Sequence, residues 1–308
     1  MIHHVFANRS NIGDWLSARG IQQLLSPHTV VEHLCDEPFV AATLAGLSTT
    51  TADDLIVIGG GGLFMDYFVP FWQGFLAITG RTSFCIWGVG YCDLKLDPSR
   101  PPQALIEELV AKSRLCVVRD EFTRAVLAGC ALPPPVPCPS LVAVDQPVQQ
   151  GFGLLHVDNY TTAGADVYEA MDAHGRAFAG CTQRPYWTTN NRIPAGSEAA
   201  LAAVLARYAA ADIVLSSALH GCIIAVAMGR KVLAVSGDYK IEAFMQAAGL
   251  GQWVCDLDEV DQVPERLASL ADQPSIHPFV QQARAANRAV AAHVLAAGNL
   301  TGRTRTSP

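Results

Sequence analysis

Leu55-Ile56-Val57-Ile58 is a short apolar run that passes directly into four consecutive glycines, Gly59–Gly62. A run this short, closed by glycine, fits a strand buried on both faces and not a helix. Such a strand needs helices covering both sides of its sheet. The chain repeats the pattern: Ile2–Ala7, Ser83–Trp87, Leu115–Val118, 152–157, Ile213–Ser216 and Lys231–Val235 read as further strands. Between and after them lie helical stretches at Trp15–Leu25, Pro102–Ser113, Glu121–Ala128, 164–173, 195–210, 220–228, Ile241–Ala248 and Pro278–Ala297. This βαβ rhythm predicts an α/β fold with parallel sheets.

Five prolines at 133, 134, 135, 137 and 139 make a stiff, non-helical connection. With 308 residues the chain can form two domains of roughly 150 residues each. The predicted division is 1–145, 146–300 including the last helix, and a flexible tail at 301–308. No internal repeat is visible, and the halves share only the βαβ rhythm.

Half the residues are hydrophobic and 16% are charged, which excludes intrinsic disorder. The 21 Lys plus Arg against 28 Asp plus Glu give a net charge of −7, so no nucleic-acid partner is expected. The nine cysteines are scattered and contain no CxxC pair, which predicts neither a disulfide framework nor a zinc site. The first residues lack the pattern of a signal peptide, and no apolar run reaches the ~20 residues of a membrane span. The expectation is a soluble cytoplasmic protein, with peripheral membrane contact left open.

The chemistry concentrates at strand ends, where open α/β sheets bind ligands. Gly59-Gly60-Gly61-Gly62-Leu63-Phe64-Met65-Asp66 has Phe64 where GxGxxG needs glycine, and no GK[ST] follows. It reads as a loop lining a ligand cleft or as a tight strand-to-helix turn. Asn11-Ile12-Gly13-Asp14 follows the first strand, and Asp14 either faces the cleft or caps the next helix. Arg119 ends a strand and either points into the same cleft or joins a surface ion pair with Asp120. Ser216-Ser217-Ala218-Leu219-His220-Gly221 leads from a strand into an apolar helix, with His220 at the positive helix end, which lowers its pKa. The other eight histidines are assigned to packing or solubility. Lys240 follows Ser236-Gly237-Asp238-Tyr239, where a cation can reach a phosphate. Tyr67, Phe68, Phe71 and Trp72, and Tyr186-Trp187 on a loop, are aromatic candidates for stacking on a sugar or for the core.

Taken together, Asn11-Ile12-Gly13-Asp14, Leu63-Phe64-Met65-Asp66, Arg119-Asp120-Glu121, Leu219-His220-Gly221 and Lys240 resemble the polysaccharide pyruvyl transferase family over residues 5–250. The resemblance implies two Rossmann-like domains facing across a GT-B-like cleft, acceptor side first and donor side second. It also implies a C-terminal helix packed back on the first domain. It further implies transfer of the enolpyruvyl group of phosphoenolpyruvate to a saccharide or lipid-linked saccharide, as a ketal, in exopolysaccharide or cell-wall glycan synthesis. No cofactor and no metal is implied. His220 would be the acid–base residue. Arg119 and Lys240, with Ser216, Ser217 and Gly221, would bind the donor. Asn11, Gly13, Asp14, Gly60, Gly61, Gly62 and Asp66 would form cleft loops. One departure stands out. Many members carry Arg in Ser-x-Arg-Leu-His-Gly, and Ala218 stands there instead, forfeiting a contact of about 1.5–3 kcal/mol. Arg184, Arg192, Arg230 and Lys231 are candidate substitutes. The alternatives are a GT-B glycosyltransferase using a nucleotide sugar, and a non-catalytic family member that binds a glycan or a partner.

Overall fold

The computed structural model describes residues 1–80, 82–145 and 150–300; the expected tail at 301–308 lies outside them, and the expected boundary at 145/146 borders residues that do as well. The first unit runs β1 (Ile2–Phe6), α1 (Ile12–Leu25), β2 (Val30–Leu34), α2 (Val40–Leu47), β3 (Leu55–Phe64), α3 (Val69–Ile78), β4 (Ser83–Tyr91), α4 (Gln103–Lys112), β5 (Leu115–Val118) and α5 (Glu121–Val126). A short α6 (Ser140–Ala143) follows the proline-rich connection. The second unit runs β6 (Leu154–Val157), α7 (Tyr160–Ala163), α8 (Ala165–Cys181), β7 (Tyr186–Thr189), α9 (Glu198–Ala210), β8 (Ile213–Ser216), α10 (Leu219–Ala227), β9 (Lys231–Ser236), α11 (Tyr239–Ala247), β10 (Val254–Asp256), α12 (Val263–Ala268) and α13 (His277–Ala297).

Both sheets are wholly parallel, ordered β2-β1-β3-β4-β5 and β7-β6-β8-β9-β10. The two units therefore share one topology that the sequences do not advertise. In each, the chain reverses direction across the sheet after its first strand, between β1 and β3 and between β6 and β8. A crevice opens at such a switch point, beyond the carboxyl ends of the strands.

The predicted glycine loop is corrected. β3 continues through Gly59–Gly62 to Phe64, and β4 continues past Trp87 to Tyr91. Gly60 and Gly61 take φ of 75° and 107°, conformations open to glycine, so the strand survives only with glycine there. Tyr186-Trp187 begin β7, not a loop. β2 escaped notice because Val30-Val31-Glu32-His33-Leu34 is a half-buried edge strand without a continuous apolar run.

The units close on each other through backbone. The Ile12 N–H donates to the Asn191 carbonyl at 3.1 Å, Ile193 N–H to Ser10 at 2.9 Å, and Lys95 N–H to Gly237 at 3.0 Å. As implied by the resemblance, α13 packs back on the first unit. Its Val290, Ala291 and Val294 share a core with Ile21, Leu25, Val57 and Trp87. At mid-helix the buried Asn287 accepts from Trp87 Nε1 at 3.1 Å and donates to the Pro137 carbonyl at 2.8 Å.

Candidate active site

A cavity of about 450 Å³ lies where the two switch points face each other. From the first unit it takes Asn8, Asn11 and Asp14 after β1, Gly62 and Met65 at the end of β3, Cys92 after β4 and Arg119 after β5. From the second it takes Asp158 and Asn159 after β6, Asn190, Asn191 and Arg192 after β7, Ala218, Leu219 and His220 after β8, and Lys240 after β9. Asp36, Tyr67 and Phe68 complete the wall.

Asn11, not Asp14, caps α1: its Oδ1 accepts from the Gly13 N–H at 3.0 Å. Asp14 is thereby released to face the cavity. Burial pushes its carboxyl up to about 6, while Arg119, Arg192 and Lys240 pull in the opposite direction. A β-carbon at Gly61 would lie 2.5 Å from Asp14 Oδ1, so the glycine makes room for this carboxyl.

Arg119 is not in a surface ion pair. Its side chain is 3% exposed, and Nε stands 3.5 Å from Asp120 without a hydrogen bond. The Asp120 carboxylate is committed to capping α5, through Thr123 N–H at 2.7 Å and Thr123 Oγ1 at 2.6 Å. Both Nε and Nη1 of Arg119 are buried without an acceptor. The guanidinium fits because Gly90 has no side chain; a β-carbon there would lie 2.3 Å from Nε.

Lys240 sits in the first turn of α11. Its ammonium pairs with Asp238 and donates to Cys92 Sγ at 3.1 Å. Burial opposes its charge, but Cys92 and Asp238 outweigh it and hold the pKa above the usual lysine value. His220 is the second residue of α10. Burial, then Arg119 and Lys240, hold its pKa well below 6.5, so the imidazole is neutral at pH 7.

The other predicted site residues lie around this set. Gly13 backs His220, and Gly62 lines the cavity while Gly60 does not. Ser216 Oγ is engaged with the Ala218 backbone, accepting at 3.1 Å and donating at 2.9 Å; Ser217 Oγ accepts from Asn159 N–H at 2.8 Å. Both serines shape the turn behind the cavity. Gly221 leaves room for Ser216, whose Oγ would be 2.1 Å from a β-carbon there. Asp66 is exposed, accepts from Tyr67 N–H at 2.8 Å and from the Ser99 hydroxyl, and does not line the cavity. Of the four cations named as substitutes near Ala218, Arg192 lines the cavity. Arg184 pairs with Asp212, Arg230 donates to the Ala209 carbonyl and Lys231 to that of Gln273. Phe71 and Trp72 belong to the core, and Tyr186 hydrogen-bonds Asp172.

Asn8, Asp36, Cys92, Asp158, Asn159, Asn190 and Asn191 line the cavity without having been singled out. The strand-end rule would have found Asp158 and Asn159, which follow a strand that was predicted. Asn190 and Asn191 were hidden with the unrecognised β7.

Three solved structures share the architecture. The S. aureus MnaA–UDP complex is 9% identical with a TM-score of 0.61, covering 97% of each chain. A UDP-N-acetylglucosamine 2-epimerase from Listeria monocytogenes, so described provisionally, is 10% identical with a TM-score of 0.59, covering 96% of this chain and 95% of that one. The Neisseria meningitidis UDP-GlcNAc 2-epimerase bound to UDP-GlcNAc is 11% identical with a TM-score of 0.55, covering 96% and 99%. At such identities the likeness is one of fold, the GT-B-like pairing of two Rossmann-like units. No curated protein matches the sequence. Among the described residues, no helix is long and apolar enough to cross a membrane. The polysaccharide pyruvyl transferase profile matches residues 11–239, from the Asn11 cap to the first residue of α11, and on that match over most of its length the chain belongs to the polysaccharide pyruvyl transferase family.

Proposed function

We propose that this cavity binds phosphoenolpyruvate and that the protein transfers its enolpyruvyl skeleton to a saccharide as a cyclic ketal, in the building of an exopolysaccharide or cell-wall glycan. The observation that carries the reading is Arg119, a buried guanidinium with two N–H groups lacking an acceptor, on a cavity that also holds Lys240 and Arg192. The ion pair of Arg119 with Asp120, at 3.5 Å, leaves those two N–H groups unsatisfied, and buried donors without acceptors are costly unless a ligand completes them. A donor with a phosphate and a carboxylate supplies two anionic groups of the required kind.

The reaction needs a sugar hydroxyl to add to C2 of the donor while a proton adds to its methylene carbon. A second hydroxyl of the same sugar then attacks C2, inorganic phosphate leaves, and a proton is released. His220 is neutral when empty, so it can take the hydroxyl proton and pass it to the methylene carbon. Donor binding supports this exchange, because its negative charge offsets Arg119 and Lys240, two of the causes that depress the histidine. Asp14, held near pH 6, is the second titratable group, and its shift opposes that of His220. Asn8, Asn159 and Asn190, with Asp36 and Asp158, offer hydrogen bonds to sugar hydroxyls, and Tyr67 and Phe68 offer ring faces.

The test is release of inorganic phosphate from phosphoenolpyruvate by the purified protein, with and without candidate saccharides. Release that requires a saccharide and disappears in His220→Ala is the expected result. Full turnover by that variant would remove His220 from the chemistry. Thermal stabilisation by UDP-GlcNAc with none by phosphoenolpyruvate would favour the nucleotide-sugar alternative.

A further inference from the structure

Resting on that reading, the hydrogen-bond network behind His220 decides which of its two nitrogens works. Ser17 lies in the second turn of α1, and its hydroxyl donates to the Gly13 carbonyl at 2.8 Å. A carbonyl can only accept, so the single hydroxyl hydrogen of Ser17 is spent there. The Cys138 thiol, on the proline-rich connection, accepts from the Ser140 hydroxyl at 3.2 Å and stands 3.1 Å from Ser17 Oγ. With its hydrogen committed to Gly13, Ser17 Oγ can only accept from that thiol. His220 Nε2 approaches these same two groups, 3.4 Å from Ser17 Oγ and 3.8 Å from Cys138 Sγ. The shorter contact of the thiol is with Ser17, so Nε2 meets lone pairs on both sides and must itself carry hydrogen. His220 Nδ1 has no hydrogen-bond partner among the described residues.

We infer that Ser17, assisted by Cys138, is a positioning residue that locks His220 in the Nε2–H tautomer and leaves Nδ1 as the nitrogen that exchanges protons with substrate. The lock explains two otherwise unrelated features. Ser17 is buried and polar in a helix face that packs against apolar neighbours, and the connection places a free thiol at the same point. A histidine that presents the wrong nitrogen loses much of its acid–base contribution, which is about 10²–10⁴-fold in rate.

The experiment is nitrogen NMR of the full chain labelled at histidine, without substrate, at pH 7. The His220 signals are identified by their disappearance in His220→Gln. Wild type is expected to show hydrogen on Nε2 and a lone pair on Nδ1. Ser17→Ala is expected to populate the other tautomer and to lower kcat by about tenfold or more, with KM for phosphoenolpyruvate within about twofold. Hydrogen on Nδ1 in wild type overturns the inference, as does an unchanged tautomer in Ser17→Ala. Because the spectrum is read without substrate, the tautomer assignment stands even if phosphoenolpyruvate proves not to be the donor, and that failure appears separately in the phosphate-release assay.

Discussion

A β-carbon on Gly13 would lie 2.0 Å from Nδ1 of His220. The two residues come from different units, at the start of α1 and the start of α10, and the absence of one side chain creates the seat for the other. Ser17 and Cys138 stand against Nε2 on the ring's other side, so a side chain at Gly13 would have to push the ring off its place beside them.

Gly13→Ala should therefore fold and fail to turn over. Overpacking of this kind costs about 1–3 kcal/mol, which a two-unit protein of this size tolerates. Displacing the ring is expected to lower kcat by about 100-fold or more. Circular dichroism with steady-state kinetics checks both halves; unchanged kcat would show that the ring position does not matter.

Arg119→Met is expected to separate stability from binding. The empty protein should be about as stable as wild type, because the change removes two buried N–H groups without acceptors, while Asp120, paired with Arg119 at 3.5 Å, keeps its hydrogen bonds to Thr123. Phosphoenolpyruvate should bind at least about tenfold more weakly, the equivalent of one charge-assisted contact. Urea unfolding and calorimetric titration measure the two quantities. A fall in both would mark Arg119 as structural.

Arg192→Ala tests whether this cation stands in for the side chain missing at Ala218. We expect KM for phosphoenolpyruvate to rise by about tenfold. Ala218→Arg added to that variant should recover most of the loss, since Ala218 faces the same cavity. No change in KM on removing Arg192 would leave Arg119 and Lys240 as the donor's only cations.

Stability should fall as pH drops from 6.5 towards 4. Burial pushes His4 and His156 down to about 4, and both are fully buried. Between these values the unfolded chain binds more protons, so each group contributes stability present above pH 6.5 and lost on acidification, about 3 kcal/mol apiece. His220 acts in the same direction. Asp14 opposes them: its carboxyl is raised to about 6, so its contribution is lost as pH rises from 3.8 to 6. Urea midpoints at pH 7 and pH 5 measure the sum. His156→Phe, which keeps the ring stacked on Tyr168, should shrink the difference; an equal slope would place the titration elsewhere.

Asn287→Ala should loosen α13. It strips partners from Trp87 Nε1 and the Pro137 carbonyl. Leaving such groups buried and unpaired costs about 1–3 kcal/mol each. Urea unfolding should register at least about 2 kcal/mol of lost stability, with faster amide exchange along the helix. A loss below about 0.5 kcal/mol would show that water replaces the asparagine.

Leu115–Val118 and Ile213–Ser216 were legible to the residue because a short apolar run between polar flanks is a local signal. The same logic misread Gly59–Gly62, where glycine commonly ends a strand. Here the strand continues because β3 and β4 press together, and a β-carbon on Gly59 would lie 1.8 Å from the Trp87 carbonyl oxygen.

The amino-acid sequence by itself determined the βαβ order, the family and the types of side chain at the strand ends, because each rests on residues near one another in the chain. The tertiary structure decided what those side chains do. Asn11 takes the cap and frees Asp14, Arg119 is buried without an acceptor, and Asp66 stays outside. Which strand ends meet depends on two parallel sheets of the same order facing each other. That arrangement is set by contacts between distant segments, such as Ile12 with Asn191 and Gly13 with His220, which no local pattern encodes.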